Sequence, residues 1–187
     1  MNLPNLITIL RIIFIPFFID FMIYGYYDWA LAVFLVAGLT DSLDGLVARL
    51  SNQRTRLGAY LDPAADKLLL TAGFVTLAVL KFIPFWVAVV VVSRDVILVL
   101  GSLILHLIQG NQEISPTIWG KGTTAIQIVY VGLVLFFSVL SIDTFLMLPL
   151  LVLMVGITVF SGFHYIYRGI RNMNSRHLKT VPEEKGP

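Results

Sequence analysis

The sequence predicts an all-α integral membrane protein with six transmembrane helices in a single domain spanning residues 1–187. Of the 187 residues, 58% are hydrophobic, and the mean hydropathy is +0.89. Both values are too high for a soluble domain. The apolar residues also fall into six runs, and each is close to the roughly 20 residues that cross a hydrocarbon core about 30 Å thick.

The composition excludes several classes of function. The chain has no cysteine, so disulfides and thiolate metal sites are excluded. The net charge is only +2, and the basic residues cluster near the predicted membrane boundaries. They do not form the basic stripe expected of a nucleic-acid-binding surface. We therefore predict contact with anionic lipid and no nucleic-acid partner.

The first 49 residues predict two helices. Asn5 can cap a helix that runs to about Tyr24. The run contains Arg11 and lacks a cleavage site of small residues, so we do not expect a removed signal peptide. Arg11 either extends to the membrane interface or faces a polar cavity, and its neighbours leave both alternatives open. A second helix is predicted from Trp29 to about Arg49.

The third and fourth helices are separated by a tight turn at residues 81–84. A short polar loop, Ser51–Arg56, precedes the third helix. Proline is tolerated in the first turn of a helix, so the third helix either starts near Pro63 or starts earlier and is kinked there. It ends at about Leu80. The fourth helix runs from Phe85 to about Leu107.

The fourth helix contains Arg94 and Asp95 at adjacent positions. Adjacent helical residues point to different faces, so we expect that the two do not simply neutralise each other and that Arg94 reaches another partner. That partner is either a neighbouring helix in a structural ion pair or a ligand, since charge inside a membrane is costly.

The last two helices follow a polar connection at Gly110–Gly122. We predict the fifth helix at Thr123–Leu140 and the sixth from Thr144 to about Tyr167, with a charged tail that frays after about His177.

Isolated histidines and glycines inside the apolar runs are predicted to have packing roles between the helices. His106 and His164 have apolar neighbours and are not proposed as ligands. Gly132, Gly156 and Gly162 are predicted to permit close contacts between helices.

The segment from residue 41 to residue 66 carries four carboxylates in a chain that is otherwise poor in charge. Asp41 and Asp44 are three residues apart, and Asp62 and Asp66 are four apart, so each pair shares one face of a helix. Two such carboxylates 4 Å apart repel each other by about 4 kcal/mol at an effective dielectric of about 20, which calls for a cation. Oxygen ligands favour Mg²⁺, Mn²⁺ or Ca²⁺. A single aspartate of this kind is usually a cap or a solvated charge.

Four further residues lie between the two carboxylate pairs. Gly45, Ala48 and Gly58 are small enough to let a ligand approach the backbone, and Arg49 is a fixed cation suited to phosphate. Together with the carboxylates they suggest a combined metal and phosphate site.

These eight positions, at their set intervals, closely resemble the signature of the CDP-alcohol phosphatidyltransferase family. The N-terminal residues Pro4, Asn5, Thr8 and Arg11 are similar to a second pattern of that family, which favours the polar cavity for Arg11.

The resemblance implies a function, a cofactor and a role for each matched residue. A phosphatidyl group would move from CDP-diacylglycerol to an alcohol with release of CMP, assisted by two divalent cations, Mg²⁺ or Mn²⁺. Asp66 would be both a metal ligand and the general base. The other metal ligands would be Asp41, Asp44 and Asp62, and the CDP site would contain Thr8, Gly45, Ala48, Arg49 and Gly58. The family also implies a homodimer.

The acceptor is predicted from residues of the fourth and fifth helices. Arg94 and Lys121 match the acceptor-binding cations of family members that use glycerol 3-phosphate, but Ser102 and Thr123 stand where two further cations would fall. The stretch as a whole looks more like the members that make cardiolipin. Phosphatidylglycerol carries one phosphodiester charge and needs fewer cations than a dianion. We therefore favour phosphatidylglycerol as acceptor and keep glycerol 3-phosphate as the alternative.

The distribution of basic residues predicts the orientation. Six spans place both termini and the loops after the second and fourth helices on one side, and the opposite loops carry only Lys81. By the positive-inside rule the carboxylates face the cytoplasm, in what we take to be a bacterial inner membrane. The basic residues on that side are Arg49, Arg54, Arg56, Lys121, Arg168, Arg171, Arg176, Lys179 and Lys185.

Two other functions would account for part of this pattern. A cation transporter would also place carboxylates within membrane helices. A transporter gives no role to Gly45, Ala48 and Gly58, and the positive charge of Arg49 would oppose cation entry. A scaffold that kept only the fold would predict a damaged motif, whereas every motif position here is intact.

Overall fold

A computed structural model describes the backbone of residues 3–51, 56–109 and 118–177, and throughout these ranges the regular structure is helical. Side chains are described for residues 8–40, 65–101, 120 and 122–168. The elements in chain order are α1 (Leu3–Ile23), α2 (Tyr27–Ser51), α3 (Arg56–Val79), α4 (Phe85–Gln109), α5 (Ile118–Val139), a 3₁₀ turn (Thr144–Met147) and α6 (Leu148–His177).

Within the described ranges the all-α class and six helices are confirmed, with differences at several boundaries. Helix α3 begins at Arg56, ahead of Pro63, so the earlier of the two predicted starts is right. Helix α5 begins at Ile118, earlier than the predicted start at Thr123. The residues around Gly120 and Gly122 are helical although glycine disfavours a helix. Helix α6 continues to His177, well past the predicted end.

The predicted start of the sixth helix at Thr144 is instead a single 3₁₀ turn. The carboxylate of Asp143 caps this turn by accepting a hydrogen bond from the backbone N–H of Phe145 at 2.8 Å. Helix α6 then begins at Leu148, and Pro149 occupies its first turn, where a missing N–H is harmless.

Helices α1, α3 and α5 end in the same way, in tight reversals at one end of the bundle. In each reversal a residue with positive φ follows the helix: Gly25 at 78°, Lys81 at 64° and Ser141 at 55°. The next backbone N–H returns to a carbonyl five residues back, which is the Schellman arrangement. These bonds are Tyr26 to Phe21 at 2.8 Å, Phe82 to Leu77 at 2.9 Å and Ile142 to Phe137 at 2.9 Å. Such short reversals place successive helices antiparallel.

The packing order places α1 beside both α2 and α3. Helix α4 packs against α3 and α6, and α5 packs against α2 and α6. Helix α3 also contacts α5. An aromatic pair lies at the α1–α2 contact, where the ring centroids of Phe18 and Phe34 are 6.0 Å apart. A second lies at the α3–α5 contact, where Phe74 stacks on Tyr130 at 6.2 Å between ring centroids. The helices that carry the predicted carboxylates, α2 and α3, therefore share α1 as a neighbour.

Two described stretches are long and apolar enough to cross a membrane, Gly122–Val139 and Thr144–Arg168, with hydropathies of 1.8 and 2.3. A shorter apolar helix covers Tyr27–Thr40. Large apolar side chains are exposed on all six helices, as a lipid-facing surface requires. Membrane crossing stays a prediction for all six helices.

The packing role predicted for the glycines holds at two of three positions. A Cβ atom at Gly132 would lie 3.8 Å from the ring of Phe34, and one at Gly162 would lie 3.7 Å from Cγ of Arg94. The prediction is wrong for Gly156, which has nothing within 4 Å of such an atom. That part of α6 faces open space, so a glycine is not needed there.

The predicted packing histidine in α6 is confirmed. The ring of His164 is half-buried and lies 6.4 Å from that of Phe160. The side chain of His106 lies outside the described residues.

The closest helix contact at a glycine occurs at Gly101, which the sequence did not single out. A Cβ atom there would lie 2.9 Å from Cε1 of Tyr165, closer than real contacts allow. Gly101 therefore sets how closely α4 and α6 approach each other beside the Arg94 region.

We expect Gly101→Ala to lower the melting temperature of the detergent-solubilised protein, because overpacking of this kind typically costs about 1–3 kcal/mol. The matched control is Gly156→Ala, which should leave the melting temperature unchanged or slightly higher, since alanine favours a helix. Equal melting temperatures for the two variants would contradict the proposed close contact.

Candidate functional site

The predicted site residues lie at similar depth in the bundle. The start of α1, the end of α2 and the start of α3 are at one end, because the reversals after α1 and α3 are at the other. With a rise of 1.5 Å per residue, Asp62 and Asp44 lie about 10 Å along their helices from that end. Arg11, Asp41 and Asp66 lie about 12 to 15 Å from it. Counted along their helices, these positions therefore fall at similar distances from that end.

The helical state assumed for the carboxylate spacing is confirmed for both segments, since α2 includes residues 41 and 44 and α3 includes residues 62 and 66. Among the described side chains there is no group of three potential metal ligands. Most of the predicted site lies outside the described side chains, namely Asp41, Asp44, Gly45, Ala48, Arg49, Gly58, Asp62 and Lys121.

A buried ion pair joins α1 to α3 at the predicted site. Nη1 of Arg11 donates to Oδ1 of Asp66 at 2.5 Å. The arginine side chain is 1% exposed and the aspartate side chain 36% exposed. Arg11 therefore faces the bundle interior and does not extend to the membrane interface. Thr8, three residues earlier on α1, is also fully buried.

A second charged cluster lies one residue further along α3. Oδ1 of Asp95 accepts hydrogen bonds from Nζ of Lys67 at 2.8 Å and from Nη1 of Arg94 at 2.7 Å. Asp95 and Arg94 are buried, whereas Lys67 is about one-third exposed. The cluster ties α3 to α4, and Lys67 was not recognised from the sequence although it directly follows Asp66.

The prediction that Arg94 and Asp95 do not neutralise each other is wrong. Their Cβ atoms diverge, but the arginine side chain is long enough to turn its guanidinium back to the neighbouring carboxylate. The prediction that Arg94 also reaches other elements is confirmed. Its Nη2 lies 3.3 Å from Oγ of Ser161 on α6 and 3.4 Å from the carbonyl of Gly120 on α5. Arg94 therefore connects three helices.

Polar side chains continue from this cluster between α5 and α6. Nε2 of Gln127 donates to Oγ1 of Thr158 at 3.2 Å, and that hydroxyl donates to the carbonyl of Met154 at 2.8 Å. Gln127, Thr158 and Thr123 are fully buried. The Gln127–Thr158 hydrogen bond stabilises the pairing of α5 and α6.

The two charged clusters tie α3 to two different helices. Asp66 is bonded to α1, and the next residue, Lys67, is bonded to α4. The orientation of α3 is thereby fixed at the residue predicted to act as base. Because over a third of the Asp66 side chain is exposed, its carboxylate is accessible to a ligand.

Comparisons with known proteins confirm the family resemblance of the sequence. The sequence profile of the CDP-alcohol phosphatidyltransferase family matches residues 1–161. A probable phosphatidylglycerophosphate synthase of Mycobacterium tuberculosis is 34% identical over 92% of this chain and 83% of its own length. A putative cardiolipin synthase of Mycobacterium bovis is 31% identical over 71% of this chain and 57% of its own.

A third relative comes from Haemophilus influenzae, a CDP-diacylglycerol–glycerol-3-phosphate 3-phosphatidyltransferase. It is 34% identical over 70% of this chain and 74% of its own length.

We expect Asp95→Asn to destabilise the protein by about 3 kcal/mol, because it leaves the buried Arg94 without its anionic partner. Melting temperatures of the purified variants provide the measurement. Asp20→Asn is the control, since it removes the same charge from an exposed position on α1. A loss of stability no larger than that of the control would show that the cluster around Asp95 does not hold α3 to α4.

Proposed function

This chain belongs to the CDP-alcohol phosphatidyltransferase family, and we propose that it transfers a phosphatidyl group from CDP-diacylglycerol to phosphatidylglycerol, forming cardiolipin and CMP. The observation that carries the proposal is the family match across residues 1–161, which includes every position of the carboxylate motif. The reaction breaks the P–O–P linkage of the donor and forms a bond between the acceptor oxygen and the phosphatidyl phosphorus. The acceptor hydroxyl loses its proton, and CMP leaves.

The residues present fit two divalent cations, Mg²⁺ or Mn²⁺. The donor set consists of carboxylate oxygens, which these hard cations prefer, and both carboxylate pairs are on helices, so each pair shares a helix face. Asp41, Asp44, Asp62 and Asp66 would hold them. When bound, such cations supply charge neutralisation at the phosphates and polarise the acceptor oxygen.

Asp66 is the residue proposed to take the proton of the acceptor hydroxyl. That role needs an ionised carboxylate that a substrate can reach. The guanidinium of Arg11, 2.5 Å away, stabilises the negative charge, and the exposed third of the side chain provides access. An aspartate is a weak base, but a polarised alcohol gives up its proton more readily.

The nucleotide is proposed to lie along α2 and the start of α3. Arg49 would bind its phosphates, and the backbone at Gly45, Ala48 and Gly58 would allow close approach. Thr8 on α1 would complete this site from the neighbouring helix.

The charges around Arg94 support phosphatidylglycerol as acceptor. Arg94 and Lys121 are the proposed acceptor-binding cations, and Arg94 already shares its charge with Asp95 at 2.7 Å. Thr123, at a position where a second lysine would serve a dianionic acceptor, is neutral and fully buried. Lys67 also pairs with Asp95, so Lys67, Asp95 and Arg94 together carry one net positive charge, which suits a phosphodiester better than a phosphate dianion.

Glycerol 3-phosphate is the second candidate acceptor, and the comparisons favour it. The relative that matches 92% of this chain is named for phosphatidylglycerophosphate synthesis, and the Haemophilus influenzae protein is named for the same acceptor.

The family match removes the support for a cation transporter.

The proposed setting is a bacterial inner membrane crossed by all six helices, with the carboxylate end facing the cytoplasm and with two copies forming a homodimer. The two apolar stretches Gly122–Val139 and Thr144–Arg168 support the membrane location. The excess of basic residues at the carboxylate end supports the orientation.

A product assay decides between the two acceptors. Purified protein with CDP-diacylglycerol and Mg²⁺ or Mn²⁺ should release CMP when phosphatidylglycerol is supplied, and labelled phosphatidylglycerol should appear in cardiolipin. A matched reaction in chelator should release none, because the carboxylates then have no cation. Formation of phosphatidylglycerophosphate from glycerol 3-phosphate at a comparable rate would overturn the choice of acceptor.

Asp66→Asn should abolish transfer while leaving the affinity for CDP-diacylglycerol within about tenfold, because the amide keeps the shape but cannot take up the proton. CMP release and binding of the donor lipid are measured separately. Asp28→Asn, an exposed carboxylate at the opposite end of α2, is the control and should retain full turnover. Turnover of Asp66→Asn above about a hundredth of wild type would exclude Asp66 as the base.

A further inference from the structure

We propose that Lys67 binds the phosphate of the acceptor, and that it does so by exchanging its bond to Asp95 for a bond to that phosphate. The inference rests on the proposed function, because it assigns a residue to the acceptor of the same reaction. It adds a cation of α3, which lies outside the carboxylate motif, to the proposed acceptor-binding residues Arg94 and Lys121.

Three charged side chains meet at one carboxylate oxygen, Oδ1 of Asp95. This atom accepts hydrogen bonds from Nζ of Lys67 at 2.8 Å and from Nη1 of Arg94 at 2.7 Å. Two cations that share one oxygen repel each other, and the three side chains together carry one net positive charge. A net charge beside an apolar interior is costly. The cluster therefore favours the approach of an anion.

The two cations of this cluster differ in access. The side chain of Arg94 is 5% exposed, and its Nη2 also lies within hydrogen-bond distance of Ser161 and the carbonyl of Gly120. The side chain of Lys67 is 32% exposed, and its ammonium is carried on a flexible four-carbon stem. Asp95 keeps its bond to Arg94 when Lys67 leaves. Lys67 is therefore the cation that can turn to a ligand without leaving a buried carboxylate uncompensated.

The position of Lys67 favours the acceptor over the nucleotide. Lys67 directly follows Asp66, the residue proposed to take the proton of the acceptor. In both candidate acceptors the reacting hydroxyl and the phosphate are attached to the same three-carbon glycerol, so a cation that binds this phosphate must lie close to the base. Gly58, in the proposed nucleotide site, is about 13 Å further back along α3. The bond of Lys67 to Asp95 also directs it toward α4, which carries Arg94.

A purely structural lysine would behave differently from a phosphate-binding one. If Lys67 only ties α3 to α4, its loss should act like the loss of Asp95, which breaks the same bond, and should lower the melting temperature. If Lys67 binds the phosphate, the pair of Asp95 and Arg94 stays intact and the effect should appear in the KM for the acceptor. The two roles are therefore separable by measurement.

The experiment compares Lys67→Gln, Lys67→Arg and Asp95→Asn with wild type in the purified protein. CMP release gives kcat and the KM values for CDP-diacylglycerol and phosphatidylglycerol, and a parallel series uses glycerol 3-phosphate to distinguish a lipid phosphodiester from a free phosphomonoester. Melting temperatures are recorded for each protein. Lys81→Gln is the matched control, because it removes the same charge from an exposed lysine in the reversal after α3.

Binding is also titrated without donor or metal, with each acceptor paired with an analogue that lacks the phosphate. Labelled phosphatidylglycerol is compared with labelled diacylglycerol, and labelled glycerol 3-phosphate with labelled glycerol. The preference for the phosphate-bearing member of each pair reports on the phosphate contact alone.

For Lys67→Gln we expect the KM for the acceptor that wild type uses to rise about 10-fold, because a charge-assisted hydrogen bond is lost, with kcat and the KM for CDP-diacylglycerol within about twofold of wild type. The preference for the phosphate-bearing ligand should fall by a similar factor. Lys67→Arg should restore most of the affinity, since it keeps the charge. The melting temperature of Lys67→Gln should stay close to that of Lys81→Gln and above that of Asp95→Asn.

A melting temperature of Lys67→Gln as low as that of Asp95→Asn, with an unchanged KM for the acceptor, would overturn the proposal in favour of a structural role. A rise in the KM for CDP-diacylglycerol alone would overturn it in favour of the donor. Failure of the proposed function is distinguishable, because wild type would then release no CMP with either acceptor. The binding titrations would still decide, and an equal phosphate preference in wild type and Lys67→Gln, or none in wild type, would overturn the role of Lys67.

Discussion

The need to compensate a buried guanidinium in an apolar bundle is the constraint on which the rest of the site depends. Arg11 is almost completely enclosed on α1, and isolated charge in such surroundings is costly. Its pairing with Asp66 ties α1 to α3 at the level of the carboxylate motif. Since α1 also packs against α2, both helices that carry the motif are neighbours of α1.

The second ion cluster extends this constraint across the bundle. Lys67 connects α3 to α4 through Asp95, and Arg94 continues the connection to α6 through Ser161. Helix α3 is thus bonded to α1 and to α4 at two consecutive residues. At the opposite end the helices turn in short Schellman reversals that require no charge. The described ion pairs therefore lie away from these reversals.

Much of this architecture follows from local sequence. Six apolar runs predict six helices, and the residues at 41, 44, 62 and 66 predict a carboxylate site, because both depend only on spacing along the chain. Contacts across helices were harder to predict. The Arg94–Asp95 pair depends on how far an arginine side chain reaches, which helical periodicity does not describe. The approach at Gly101 and the partners of Arg11 and Lys67 depend on which helices are neighbours, and a single sequence does not specify this.

The central claim is that the carboxylates of α2 and α3 form a divalent-cation site that includes Asp66, and Mn²⁺ titration of the purified protein tests it most directly. Wild type, Asp66→Asn and the exposed control Asp28→Asn are compared by electron paramagnetic resonance with the metal alone. The account predicts that wild type and Asp28→Asn bind Mn²⁺ with equal affinity and that Asp66→Asn binds it more weakly. Equal affinity for Asp66→Asn and wild type, or no Mn²⁺ binding by wild type, would contradict it.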